Sequence, residues 1–222
     1  NGWLHFIAGN HGLNSRLRAS FSSPLQLVVN DFDQNGDVEQ ILGQVMENGK
    51  VLPLVRKDDL VQQLPGLRKQ LLRYEQYAGK TMDQVFPPEI LARSITANAE
   101  ELASIEVVIS PGGEIDYFPL PMEAQLQPVY SICMADVNSD GISDIILGGN
   151  QRTVKPEIGI YDAGFGQLLI GQKDGRYRAA SLQESGLMIP GEIRQIISLK
   201  KNQWLVARSG DELVKLTLNR TN

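Results

Sequence analysis

One stretch decides which fold the sequence predicts: Val29-Asn30-Asp31-Phe32-Asp33-Gln34-Asn35-Gly36-Asp37-Val38-Glu39. An apolar run typical of a β-strand leads into it, and Ile41-Leu42-Gly43 follows it. Between them, oxygen-bearing side chains occupy alternate positions of residues 31–39, which we call the first loop. Alternate side chains can point toward one centre, so the sequence predicts a metal-binding turn between two strands.

A second stretch repeats this pattern 105 positions later. Residues 136–144, the second loop, contain Val137-Asn138-Ser139-Asp140-Gly141, and Ile146-Leu147-Gly148 follows them. Matching segments at a fixed offset indicate an internal repeat. When a helical insertion at residues 56–98 is set aside, the offset is about 60 residues, which suits one four-stranded propeller blade with long loops.

The spacing of the two loops fits calcium. Ca²⁺ takes six to eight oxygen ligands, and glycine at position 6, here Gly36 and Gly141, permits the sharp turn. The sequence therefore predicts two Ca²⁺ sites. The side-chain ligands at positions 1, 3, 5 and 9 are Asp31, Asp33, Asn35 and Glu39 in the first loop and Asp136, Asn138, Asp140 and Asp144 in the second, and Asp37 and Ile142 give backbone carbonyls at position 7.

Three alternatives bear on these loops. An EF-hand needs flanking helices and glutamate at position 12, where this chain has Leu42 and Leu147 inside strands. The simplest alternative is a turn rich in Asp, Asn and Gly that binds no metal. Two matching loops argue against this alternative more strongly than a single loop does. Magnesium suits an all-protein cage less well than calcium does.

Composition excludes some classes of protein. The net charge of −5, without a stripe of Lys and Arg, argues against nucleic-acid binding, and no apolar run approaches the roughly 20 residues of a membrane span. Two bound Ca²⁺ ions would take the charge from −5 to −1, so the predicted sites account for much of the acidity. The single cysteine, Cys133, lies in an apolar run and is expected to be a buried, unpaired side chain.

Most of the remaining chain is typical of short strands separated by Gly, Pro, Asn and Asp turns. Ser110-Pro111-Gly112-Gly113-Glu114 is expected to be a hairpin turn. The predicted strands are 4–8, 25–30, 38–46, 51–55, 103–110, 115–120, 130–135, 144–147, 167–170, 176–180, 192–199, 203–208 and 212–218.

Residues 56–98 break this pattern with helical spacing. Asp58 and Thr81 are predicted helix caps, Pro65 suits a first helical turn, and Gly79 suits a helix end. We interpret the segment as a helical insertion in a β-scaffold. It serves either as a lid over a sheet edge or as a surface for a partner.

These features resemble the FG-GAP/VCBS repeat family, whose calcium loops lie between strands of β-propeller blades. The resemblance is closest to the C-terminal regions of large Bacteroidetes proteins of this type, and it covers most of the chain. The stretches that carry it are Gly9-Asn10-His11-Gly12-Leu13-Asn14, Val29-Asn30-Asp31-Phe32-Asp33, Asp58-Asp59-Leu60, Gln63-Leu64-Pro65, Leu120-Pro121, Ala124-Gln125, Pro128-Val129-Tyr130, Leu147-Gly148-Gly149-Asn150 and Ser185-Gly186-Leu187.

The resemblance implies a mainly β fold: a partial propeller of about three antiparallel blades with a helical insertion, as a single domain over residues 1–222. It implies a calcium-stabilised, non-catalytic scaffold or binding module of an exported, cell-surface or periplasmic bacterial protein, with a glycan or a cell-surface protein as partner. The chain, which opens on Asn1-Gly2-Trp3, is expected to be a processed protein or part of a longer one.

No catalytic constellation stands out in the sequence. The histidines, His5 and His11, are six residues apart without a metal-ligand pattern. Arg152, Tyr161 and Asp162 could line a cleft built from loops. That group keeps open the alternative function, part of a polysaccharide lyase or hydrolase on a propeller frame.

Overall fold

The computed structural model describes residues 2–155, 159–200 and 202–218, and it is mainly β. The chain divides into two compact units, a first unit of residues 1–16 and 102–222 and a second unit of residues 17–101. The assignment of residues 1–222 to one domain stays a prediction. The strands of the described residues are β1 (Leu4–Ala8), β2 (Leu25–Asn30), β3 (Glu39–Val45), β4 (Val51–Pro53), β5 (Ile95–Ala99), β6 (Ile105–Ile109), β7 (Ile115–Pro119), β8 (Val129–Ala135), β9 (Asp144–Gly149), β10 (Gln167–Gly171), β11 (Tyr177–Ala179), β12 (Ile193–Lys200), β13 (Gln203–Arg208) and β14 (Val214–Thr217).

The helices are short, and most of them lie in the second unit. The α-helices are α1 (Lys57–Gln63), α2 (Met82–Val85), α3 (Pro88–Leu91) and α4 (Leu182–Ser185), and the 3₁₀ turns are Pro65–Lys69, Tyr74–Gln76 and Met122–Gln125.

The second unit packs its helices against one antiparallel sheet of order β4-β3-β2-β5. Val28 pairs with Ile41 across β2 and β3, and both are buried in the core. From the helical side, Leu60 and Leu64 lie one turn apart and are almost fully buried. The rings of Phe32 and Phe86 meet with centroids 4.5 Å apart, so the residue at position 2 of the first loop anchors that loop to this core.

The predicted helical insertion differs from the structure at two points. The helical part ends at Leu91, and Ile95–Ala99 forms the edge strand β5 beside β2. The Thr81 cap is confirmed, because Thr81 is the N-cap residue of α2, and its backbone N–H donates to Gln84 Oε1 at 3.0 Å. The Asp58 cap is wrong, because α1 begins at Lys57 with Arg56 as its N-cap; the Asp58 carboxylate lies in the first turn and accepts from the Tyr74 hydroxyl.

The described residues of the first unit form three antiparallel sheets, of order β1-β6-β7, β11-β10-β9-β8 and β12-β13-β14. The middle sheet is covered on both faces, since every residue of β9 is buried. Ile146 packs in a core with Ile193 and Trp204 of the third sheet. Its neighbours Ile145 and Leu147, on the other face, pack in a separate core with Leu120 and Leu169. Alternate side chains of β9 therefore pack into two different hydrophobic cores, one on each face of the sheet.

Glycine allows the third sheet to approach the middle one. A Cβ on Gly148 would lie 2.3 Å from Ile193 Cγ2 and 3.1 Å from Ile196 Cδ1. At the same place, the backbone N–H of Ile196 donates to Ser131 Oγ at 2.8 Å. The Gly at position 148 is therefore required by the close packing of β12 on β8 and β9.

The outer sheet β1-β6-β7 has an apolar face that is open to solvent. Across its three strands, Leu4 pairs with Ile109 and Ile109 pairs with Ile115. In the same way, Phe6 pairs with Val107 and Val107 pairs with Tyr117. Leu4, Phe6, Ile115 and Tyr117 are each more than half exposed. The predicted hairpin turn between β6 and β7 is confirmed, because Ser110 and Glu114 are hydrogen-bonded through their backbones at 2.9 Å.

Gly148→Ala is expected to destabilise the protein by about 1–3 kcal/mol, since the added methyl group overpacks the contact with Ile193. Gly112→Ala is the control, because its Cβ would meet nothing closer than Ser110 Oγ at 3.6 Å. Urea unfolding measures both variants. Equal free energies of unfolding for the two would contradict the packing argument.

Candidate metal centre

The first loop joins β2 to β3 and is organised by the Asp31 carboxylate. Asp31 Oδ1 accepts from the backbone N–H of Asn35 at 3.0 Å, and Oδ2 accepts from that of Gly36 at 2.9 Å. Asn35 Oδ1 in turn accepts from the N–H of Asp37 at 2.7 Å. These bonds turn the backbone N–H groups of positions 5, 6 and 7 toward side-chain oxygens, as Asp and Asn commonly do in tight turns.

The second loop joins β8 to β9 and makes the same bonds at the same positions. Asp136 Oδ1 accepts from the N–H of Asp140 and Oδ2 from that of Gly141, both at 3.1 Å. Asp140 Oδ1 accepts from the N–H of Ile142 at 2.8 Å. The two loops therefore share one backbone arrangement even though their sequences differ at most positions.

Backbone dihedral angles agree with this equivalence. Position 4 is left-handed in both loops, with φ of 60° at Gln34 and 62° at Ser139. Position 6 is left-handed as well, with φ of 97° at Gly36 and 84° at Gly141. A side chain at position 6 would meet no steric obstacle in either loop, so glycine is favoured there by its backbone conformation alone.

The last residue of each loop is a buried carboxylate. Glu39 Oε2 accepts from the backbone N–H of Phe32 at 3.0 Å. Asp144, which is fully buried, accepts from the N–H of Val137 at 2.8 Å and from that of Gly171 in β10 at 3.0 Å. Position 9 thus closes each loop onto position 2, and in the second loop it also reaches a neighbouring strand.

The first loop brings three carboxylates close enough to hold a metal ion. One oxygen from each of Asp31, Asp33 and Glu39 lies within 4.8 Å of the others. Oxygens bound to one Ca²⁺ at about 2.3–2.6 Å can be no farther apart than about 5 Å, so the three fit around a single ion. In the described residues, this is the cluster of three acidic groups that meets such a spacing.

The second loop holds its polar side chains differently. The Asn138 side chain donates to Asp140 Oδ2 at 2.9 Å and accepts from the Asp140 N–H at 3.0 Å. Asn138 and Asp140, at positions 3 and 5, therefore bond to each other, and Asp136 and Asp144 hold backbone N–H groups. Asp136, Asp140 and Asp144, the predicted carboxylate ligands of this loop, do not meet the spacing that the three carboxylates of the first loop meet.

The residues of the alternative cleft form a structural network. The buried Glu192 accepts from the backbone N–H groups of Arg152 and Thr153 and from the Arg194 side chain, the last at 2.7 Å. Arg152 also pairs with Asp162 at 3.2 Å. These donors, the Arg152 backbone first, hold the pKa of Glu192 below its usual range.

Tyr161 and the two histidines do not form a shared site. Tyr161 is buried with its ring edge-on to His11, 4.9 Å between centroids, and burial lowers the pKa of His11. His5 instead contacts Glu106, with 2.8 Å between Nδ1 and Oε1.

Two buried acids, Glu106 and Glu192, were not identified from the sequence. Each stands in or beside an apolar strand, Glu106 within Ile105–Ile109 and Glu192 before Ile193–Lys200. A lone carboxylate in such a run is the signal that could have drawn attention to them, because buried acids need partners.

No protein-family model, curated protein or solved structure matches this chain. In the described residues, no helix has the length and apolar character needed to cross a membrane.

Glu192→Gln is expected to lower the free energy of unfolding at pH 7 by about 1–3 kcal/mol, because the ionised carboxylate accepts three hydrogen bonds. The pKa of Glu192 is lower when folded, so this stability is complete above the unfolded pKa and is lost as the pH falls through the folded value. Urea unfolding should show the gap between wild type and variant narrowing below about pH 4.5. The exposed Glu114→Gln is the control, and a gap independent of pH would refute the assignment.

Proposed function

We propose that this chain is a calcium-stabilised, non-catalytic binding module. The observation that carries the proposal is the cluster of Asp31, Asp33 and Glu39, in a loop whose hydrogen bonds recur in the second loop. Oxygen-only ligands on a nine-residue turn favour calcium over transition metals, which prefer nitrogen and sulfur. Both loops lie between strands, which argues against an EF-hand.

In this proposal, each loop binds one Ca²⁺. The ligands are Asp31, Asp33, Asn35, Glu39 and the Asp37 carbonyl in the first site, and Asp136, Asn138, Asp140, Asp144 and the Ile142 carbonyl in the second. Asn138 has to release its bond to the Asp140 carboxylate for both side chains to face the ion. The second site is therefore the weaker of the two, since its ligands must rearrange.

We further propose that the sheets are blades of an incomplete propeller of the FG-GAP/VCBS type. Two observations support this: the face-to-face packing of three antiparallel sheets in the first unit, and the open apolar face of β1-β6-β7, which a further sheet could cover. Such modules belong to exported or cell-surface proteins and recognise glycans or other proteins. This last step rests on analogy to the family.

The enzymatic alternative has less support. Arg152 is bound to Asp162 and, through its backbone, to Glu192, while Tyr161 is buried. In our proposal these groups position the loop after β9, and the two acids are structural. A screen of polysaccharide substrates that shows turnover would favour the enzyme instead.

Calcium at about 100 times its dissociation constant is expected to add about 2.7 kcal/mol to the stability, because the ion binds only the folded loops. At this chain length such a gain raises Tm by roughly 5–10 °C relative to protein in EDTA. Calorimetry should resolve two sites of unequal affinity. No heat of binding and an unchanged Tm would exclude the metal proposal.

Asp33→Ala separates metal binding from loop structure, because Asp33 is exposed and makes no hydrogen bond within the described residues. It should abolish the tighter site and leave the stability in EDTA within about 0.5 kcal/mol of wild type. Asp116→Ala, an exposed aspartate on β7, is the matched control and should keep both sites.

A further inference from the structure

The first unit contains a cavity of about 320 Å³ lined by Glu106, Phe118, Arg176 and Tyr177, among others. Glu106 lies on β6 and Phe118 on β7, and the two are paired across these strands. Arg176 and Tyr177 lie where β11 begins. The cavity is of the size of small-molecule sites and combines aromatic walls with a few polar groups, as such sites do.

A mostly buried carboxylate in this cavity uses only one of its two oxygens. Glu106 is only 5% exposed, and its Oε1 accepts from His5 Nδ1 at 2.8 Å. Its Oε2 has no hydrogen-bond partner in the part of the chain that the structure describes. Oε2 is therefore able to accept a hydrogen bond from an N–H or O–H group of a molecule in the cavity.

Arg176 supplies donors on another side of the cavity. Its guanidinium lies over the Phe118 ring, with Cζ 4.3 Å from the ring centroid. This cation–π contact holds the guanidinium over the ring, and the guanidinium N–H groups can donate to a ligand. Tyr177 also lines the cavity, and its hydroxyl can both donate and accept.

We propose that this cavity binds a neutral hydroxylated ring, the hexopyranose residue of a glycan. Hydroxyl groups donate and accept, so one ring can donate to Glu106 and accept from Arg176. An ammonium ligand would face the Arg176 guanidinium, and a carboxylate ligand would face Glu106. The proposal deepens the binding role given above and rests on it, but it does not depend on calcium in the loops.

The test is an NMR titration of the full chain, with calcium present, using methyl glycosides of glucose, galactose and mannose. At least one glycoside should give saturable shifts, in the millimolar range, of the Glu106, Phe118 and Tyr177 amides. Arg176→Ala should weaken this binding about tenfold, as expected for loss of a charged donor. Lys173→Ala, which removes the same charge from the exposed turn before Arg176, should bind as wild type does.

Glu106→Gln tests the acceptor, and it too should weaken binding. Arg176 is exposed, so Arg176→Ala keeps the test valid even if the buried substitution prevents folding. The inference is overturned if no glycoside gives saturable shifts, if Arg176→Ala binds as wild type does, or if glycerol or galacturonate binds as tightly as the best glycoside. Calorimetry with calcium reports on the loops alone. Failure of the calcium proposal can therefore be distinguished from failure of the glycan proposal.

Discussion

The buried carboxylates of Glu39 and Asp144 are the constraint on which both acidic loops depend. Each stands at the first residue of a strand and binds the N–H of position 2, so strand and loop cannot form independently. Asp144 also binds Gly171 of β10, which ties the second loop to a third strand of its sheet. Buried negative charge is costly, and a cation in the loop would offset that cost. The proposed metal sites therefore use the same residues that shape these turns.

The residues at position 2 connect this constraint to the rest of each unit. Phe32 enters the core between the helices and the sheet of the second unit, and Val137 packs against the core that joins the middle and third sheets of the first. Each loop is thus fixed at one end by apolar packing and at the other by a buried acid. Side chains at positions 1, 3 and 5 are held on a rigid base, which lowers the entropic cost of binding an ion.

Much of the β-structure could be predicted because it is encoded locally. The predicted strands at residues 4–8 and 25–30 coincide with β1 and β2, where apolar runs end at turn residues. β5 was missed because Ile95–Ala99 is exposed throughout and is held as an edge strand by β2, a partner far away in sequence. In the first loop, spacing alone identified the three carboxylates that converge. The contacts of Glu106 with His5 and of Glu192 with Arg152 could not be predicted, since 101 and 40 residues separate the partners.

The pairing of β1 with β6 constrains the order in which the strands can pair while the chain is being synthesised. Leu4 pairs with Ile109, and in the sequence the whole second unit comes between these two strands. A ribosome delivers residues from the N-terminus onward, so β1 emerges long before its partner exists. The second unit is meanwhile complete in sequence, with β5 already available to β2. The contact between β1 and β6 thus has a high contact order, and its formation waits until the intervening segment has been made.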